Sequence, residues 1–346
     1  MSRTGPSRLE HALRPWRRAN RMARWLVVVG AVITLAFAVL AVFADQIAPY
    51  GQDQYRYELA GAPAGDDGEP ALESIPRREA PQAGFPFGTT SARFDVFSRI
   101  VHGARVAFGV VVLSTIVAMG IGVPLGLVSG YRGGRVDRLL VLIMDAVYVF
   151  PPLLLAIIAA FVLKEYLDPG LPSAAVAVGA VYIPQYFRVI RNHTLSVKQE
   201  PFVEAARSLG APPRTILGRY VFFNVVQSVP VIFTLNAADA VLTLAGLGFL
   251  GYGVPYPQAE WGLDVSRAIS DVVSGFWWTA FFPGLAITLL VTGLTLVGEG
   301  LNDIVNPLLR VRGYTGKVPA RKEPTAEATR GSDDEEITDL AKTGVV

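Results

Sequence analysis

The chain has 346 residues, 51% of them hydrophobic and 17% charged, with a mean hydropathy of +0.40. That is too apolar for an ordinary soluble domain and fits a protein with several membrane spans. There is no cysteine, and the three histidines, His11, His102 and His193, are scattered. Disulfides and thiolate nucleophiles are therefore excluded, no metal site or other cofactor is marked, and no nucleic-acid partner is expected.

Residues 1–24 form a basic arm with seven arginines and the single acid Glu10. An uncharged apolar run follows at 25–44, and 20 residues at about 1.5 Å per residue match the ~30 Å of a hydrocarbon core. A cleaved signal peptide ending near Ala44 is the rival reading. The run exceeds the usual apolar length of such a leader, so an uncleaved first span is expected. Residues 45–98 are a long polar loop with Asp66, Asp67 and Glu69, and Pro and Gly make its middle, 60–82, read as flexible.

The second apolar run, 106–130, carries Gly122, Gly126 and Gly130 at four-residue spacing. Such a ladder lets another helix approach closely, here expected within the same subunit rather than between copies. After a basic loop with Arg132, Arg135 and Arg138 come a third run at 139–163, containing Asp145 and Pro151-Pro152, and a fourth at 171–187 with Pro184. A fifth spans 220–250, long enough for tilt or for a break at Pro230. A sixth spans 276–298 and opens on Trp277 and Trp278 as an interfacial anchor. The tail at 313–346 is acidic and poor in large apolar residues, and disorder is expected there.

Six spans put both termini on one side. The N-terminal arm, the 131–138 loop, the 188–219 segment and residues 310–317 are all arginine-rich and fall on that side, while Glu165, Asp168, Glu260, Asp264 and Asp271 fall on the other. The positive-inside rule makes the first side cytoplasmic.

Between spans four and five lies EPFVEAARSLGAPPRTILGR, residues 200–219. It is too polar and short to cross a bilayer and reads as two short helices around a sharp break. Pro201 suits a first helical position, Gly210 a left-handed terminus, and Pro212-Pro213 the start of a second helix. On the first helix Phe202, Ala206 and Leu209 are expected to share one stripe, and Glu204, Arg207 and Ser208 another. A rigid elbow of this kind is built to touch something other than the membrane.

No phosphate-cradling loop, zinc-hydrolase helix or serine-elbow motif occurs, so no catalytic residue is assigned. Gly246-Leu-Gly-Phe-Leu-Gly251 matches a dinucleotide fingerprint but ends a membrane span, which points to a flexible helix end. Asn192-His193-Thr194 matches the glycosylation triplet on the wrong side of the membrane. Buried carboxylates are costly in a bilayer, which singles out Asp239 with Asn236 and Thr243 on one helix face. That face either lines a wet pathway or packs by hydrogen bonds, and both readings stand. For Asp145, near the cytoplasmic end of span three, a nearby arginine is the expected partner. Glu299 and Asp303 are expected to be solvated. Prolines at 124, 151, 152, 184, 230 and 283 are expected to interrupt five spans.

The segment Phe202-Val203-Glu204-Ala205-Ala206 with Gly210 resembles the EAA loop of binding-protein-dependent ABC importer permeases. Phe87-Gly88-Thr89-Thr90, the stretch from Phe97 to Arg105, Gly130-Tyr131-Arg132-Gly133-Gly134, Phe249-Leu250-Gly251, Trp261-Gly262, Phe282 to Ala286 and Glu299 to Asp303 extend the likeness over residues 25–312. They resemble permease subunits of dipeptide, oligopeptide and nickel importers. The sequence departs from that pattern at Phe222-Phe223, Leu244 and Asp239. The resemblance implies an all-α membrane fold of six transmembrane helices, an N-terminal span plus a five-helix core at 99–312, in the inner membrane. It implies half of a translocation pore for short peptides, or for nickel or another small solute. Glu204, Ala205, Ala206, Arg207 and Gly210 would couple it to two separate ATP-binding subunits. A second homologous permease and an extracytoplasmic substrate-binding protein would complete the assembly. A proton-coupled transporter with Asp145 and Asp239 as relay is the rival of a different class.

Overall fold

The structure, a computed structural model, describes residues 20–54, 56–58 and 72–305. The readings of the 1–19 arm, the acidic residues at 66–69 and the 313–346 tail lie outside the described residues. Helix α1 spans Arg21–Val42, α2 Val96–Arg132, α3 Gly134–Tyr148, α4 Pro152–Leu163, α5 Leu171–Val197, α6 Pro201–Ser208, α7 Val229–Phe249, α8 Trp261–Arg267 and α9 Trp278–Val305. Among the described residues five helices are long and apolar enough to cross a membrane, and the bent pair α3–α4 makes a sixth crossing if taken as one span. The all-α, six-span reading agrees with this architecture.

The third span is not a straight helix. Its halves meet at 98°, because Val149 and Phe150 end one helix and Pro151-Pro152 start another. The fifth is also broken. A π-helical turn at Ile216–Val221, a short α-turn at Phe222–Val225 and a 3-10 turn at Val226–Ser228 precede α7, so the break falls just before Pro230. Pro124, Pro184 and Pro283, by contrast, lie inside continuous helices. The fourth span accordingly runs through Pro184 to Val197 instead of stopping at 187. Composition made the 60–82 stretch a flexible loop, yet Leu72–Ser74 (β2) pairs antiparallel with Arg56–Glu58 (β1).

The glycine ladder sets the core. A Cβ at Gly122 would lie 2.7 Å from the Ile183 carbonyl oxygen. One at Gly126 would lie 2.7 Å from that of Phe187, and one at Gly130 2.7 Å from Thr194 Cβ. These contacts run along α5 of the same chain, as expected of the ladder. Tyr186, Phe187 and Ile190 are thereby fully buried. Helix α1 uses the same device against α9, where Gly30 meets the Gly293 backbone and Gly300 meets Val27. Bare backbone at these points gains close dispersion contact where lipid supplies no hydrophobic drive.

At one end of the α2–α5 pair, Arg191 Nε and Nη2 donate to Asp137 Oδ1 and Oδ2 at 2.6 and 2.7 Å, and Lys198 Nζ donates to the Gly130 carbonyl at 2.8 Å. Arg188 holds Asp145 at 2.7 Å and lies over the Tyr148 ring, the arginine partner anticipated for that carboxylate. Glu299 and Asp303 are exposed. Trp277 is exposed but Trp278 is not: its Nε1 donates to the Thr89 carbonyl at 3.3 Å, and its ring packs against Gly88. Only the first of the pair is free to act as an interfacial anchor.

Replacing Gly126 by leucine is expected to destabilise the fold by about 1–3 kcal/mol through overpacking. Gly120→Leu, where a side chain meets nothing within 4 Å, serves as the control. Thermal unfolding in mild detergent checks this, and equal midpoints for the two variants would contradict the ladder's role.

Candidate functional site

The elbow follows α5 directly. Pro201 occupies the first helical position of α6, where a missing N–H costs nothing. Gly210 closes the helix at φ +78°. The Ala211 N–H donates to the Ala206 carbonyl at 3.1 Å and that of Gly210 to Arg207 at 3.0 Å, a glycine-terminated cap. Pro212-Pro213 then restart the chain into the π-turn. The two-helix elbow is therefore formed as its sequence indicated, with the second element running past Gly218 to Val221.

Its faces differ from the expected stripes. Val203 and Ala206 are buried and anchor α6, with Ile216 of the π-turn also buried. Phe202, Glu204, Ala205, Arg207, Ser208 and Leu209 are all exposed, Leu209 at 88%. Ala206 therefore belongs to the anchoring side, not to a stripe with Phe202 and Leu209. The reason is helical geometry: residues 203 and 206 lie three apart and face the bundle, leaving the rest of an eight-residue helix outside. What remains is a protruding knob with two bare apolar side chains and one charge of each sign.

The Asn236, Asp239 and Thr243 face is divided. Thr243 is buried, with its Oγ1 2.8 Å from the Tyr182 hydroxyl and donating to the Asp239 carbonyl at 2.9 Å. Asn236 is buried as well, whereas the Asp239 side chain is exposed on α7. The packing reading thus fits Thr243, while the Asp239 side chain makes no part of that contact.

At the end of the bundle opposite the elbow, several of the family-like stretches meet. Phe87 stacks on Phe282 with ring centroids 4.1 Å apart. Trp261 Nε1 donates to the Ile100 carbonyl at 3.1 Å. The segment that mimics a dinucleotide fingerprint is a helix end: Gly251 has φ +81°, the Tyr252 N–H donates to the Leu247 carbonyl at 2.8 Å, and Gly248 is cleared for the Glu260 carboxylate.

Arg99 is the hub there, 3% exposed. It donates from Nε to Asp264 Oδ1 at 2.7 Å, and also to the carbonyls of Gln52, Pro257 and Gln258. Arg78 donates to Asp271 Oδ1 at 2.9 Å, and the Ser91 N–H to its Oδ2 at 3.2 Å. The first ion pair joins the start of α2, and the second the first long loop, to the 251–275 loop. The sequence reading missed both. The resemblance had already marked Arg99 within the Phe97–Arg105 stretch, but nothing in its spacing named a carboxylate 165 residues away.

Glu260 caps α8, accepting from the N–H groups of Gly262 and Leu263 at 2.8 Å each. Its burial outweighs those bonds and pushes its pKa from 4.5 up to about 7.

The chain belongs to the family of binding-protein-dependent transport system inner membrane components, which matches residues 122–311. It is 33% identical over 298 residues to the glutathione transport system permease protein GsiD of Pectobacterium atrosepticum, covering 86% of this chain and 92% of that one. It is 32% identical over 303 residues to the dipeptide transport system permease protein DppC of Alkalihalophilus pseudofirmus, with the same two shares. An inward-facing structure of the MetNI methionine ABC transporter superposes with a TM-score of 0.50 at 17% identity. It covers 60% of this chain and 97% of that chain, a likeness of fold.

Between about pH 4.5 and 7 the folded chain keeps a proton on Glu260 that the unfolded chain has released. This group's stabilising contribution is therefore full below 4.5 and lost as pH rises through 7. Glu260→Gln is expected to match the parent's unfolding midpoint at about pH 4 and to exceed it at about pH 8. A parent-minus-variant difference that stays constant with pH would contradict the assignment.

Proposed function

We propose that this chain forms half of the translocation pathway of an ATP-driven importer of short peptides. The observation that carries the reading is the α6 knob: Val203 and Ala206 fix it to the bundle while Phe202, Glu204, Arg207 and Leu209 stand free. Two bare apolar side chains between a Pro and a Gly terminus suit an apolar groove on another protein, and the charges orient the seating. That protein is a separate ATP-binding subunit, present as a pair and carrying the ATP hydrolysis that this chain has no loop to support. A second, homologous permease supplies the other half of the pore. A substrate-binding protein delivers cargo to the end opposite the knob.

The arginine-rich segments at 131–138 and 188–219 put the knob end and both termini in the cytoplasm. The named relatives transport glutathione and dipeptides, which favours short peptides over nickel as cargo. A proton relay is disfavoured because Asp145 is held by Arg188, whereas Asp239 is exposed and available to a peptide passing along α7.

Glu204→Lys is expected to release the ATP-binding subunits, and to abolish uptake, without affecting membrane insertion. Copurification in mild detergent together with radiolabelled dipeptide uptake reads both, and normal uptake would remove the coupling role. Asp239→Asn is expected to leave the complex assembled while changing rates across a dipeptide panel. Identical rates on every peptide would make Asp239 a packing residue.

A further inference from the structure

The loops opposite the knob enclose a cavity of about 260 Å³ between residues 90–94 and the α8 region. Two carboxylates line it, and both are already matched. Asp264 takes Arg99 at 2.6 Å, and Asp271 takes Arg78 at 2.9 Å together with the Ser91 N–H. Arg99 and Arg267 line the cavity too, whereas Arg78 reaches Asp271 from beyond the lining. Arg267 is exposed, and it forms no ion pair or hydrogen bond with a described residue, although Asp264 lies one helical turn earlier on α8. Its guanidinium lies over the exposed Tyr256 ring, 4.1 Å from the centroid.

Three features make this more than a surface charge. The walls are fixed, since Arg99 also holds the carbonyls of Pro257 and Gln258 that follow Tyr256. Stacking on Tyr256 holds the guanidinium in one place, so little rotamer freedom remains to be lost on binding. With Asp264 taken by Arg99, and Asp271 by Arg78 from beyond the lining, Arg267 is the charge left over at the cavity. Among the described residues no carboxylate takes its donors, and a planar carboxylate suits their fork.

We propose that Arg267 is a docking residue that receives an acidic side chain of the extracytoplasmic substrate-binding protein. This rests on the importer reading, which places these loops outside the cell. It adds the point of contact and the chemistry required of the partner, an exposed Asp or Glu on the face that meets this chain. A free peptide's terminal carboxylate has the same chemistry. The protein side chain is favoured because Asp239, the candidate pathway residue, lies ten residues before the end of α7, about 15 Å deeper at helical rise.

The test uses the complete complex in nanodiscs, with its second permease and ATP-binding subunits, and the purified substrate-binding protein encoded with it. For Arg267→Glu the dissociation constant is expected to rise about ten-fold, and for Arg267→Gln about three-fold with a flatter dependence on sodium chloride. Complex assembly is expected to be unchanged, because Arg267 is exposed. Both variants binding with parental affinity and salt dependence would overturn the proposal. So would unchanged docking combined with loss of a response to free dialanine, which would assign Arg267 to the peptide itself. If the parental complex binds no substrate-binding protein at any salt concentration, the importer reading fails and this one with it. Weakened docking in the variants alone leaves that reading standing and supports Arg267.

Discussion

The rest of the structure depends on the close approach of α2 and α5, made possible by three glycines that present bare backbone to the facing helix. In a bilayer no hydrophobic drive separates helix from lipid, so the gain comes from dispersion at short range. That range is available only where no Cβ intervenes. Gly122, Gly126 and Gly130 each clear the path for an atom that a Cβ would meet at 2.7 Å. At one end Lys198 clamps α5 to the Gly130 carbonyl of α2, and Arg191 ties α5 to Asp137 of α3. The elbow begins three residues after α5 ends. Its rigidity is inherited from that contact.

The two ends of the bundle are built by different physics. The knob end is short-range: Pro and Gly terminate helices, Val203 and Ala206 anchor, and polar side chains stand free. The opposite end is long-range, since Arg99 and Arg78 reach carboxylates more than 160 residues away in sequence. A buried ion pair is an uncertain source of net stability, because desolvation offsets much of the attraction. It is a strong source of specificity, since removing one partner strands the other. Arg99 thus fixes which loops meet, and α8, Trp261 and Glu260 follow from that.

Local chemistry was legible in the sequence. Gly210 announced its left-handed turn, Pro201 its helix start, the four-residue glycine spacing its packing face, and Asp145 its arginine. Proline was less informative. Pro124, Pro184 and Pro283 sit inside continuous helices, the first exposed and the other two buried, so burial alone does not decide whether a proline bends a span. At Pro151-Pro152, where two prolines follow each other at a helix start, the chain turned by 98°. The stripe assigned to Phe202, Ala206 and Leu209 failed because apolar character does not say which side of a helix faces the bundle. Trp278 failed for a similar reason: it looked like its neighbour Trp277 but is covered by Gly88 and Thr89, almost 190 residues earlier.

If force reaches a pore through the elbow, α5 and α2, these three elements must move as one rigid body. The chain has no cysteine, so spin labels can be placed at Leu209→Cys and Arg132→Cys without removing any native thiol. Electron–electron distance measurement between them, in the full complex without nucleotide and then trapped with ATP, tests the claim directly. One narrow distribution, the same in both states, is expected of a rigid body. A shift larger than about one helical turn, 5.4 Å, or a broad distribution in either state, would contradict it.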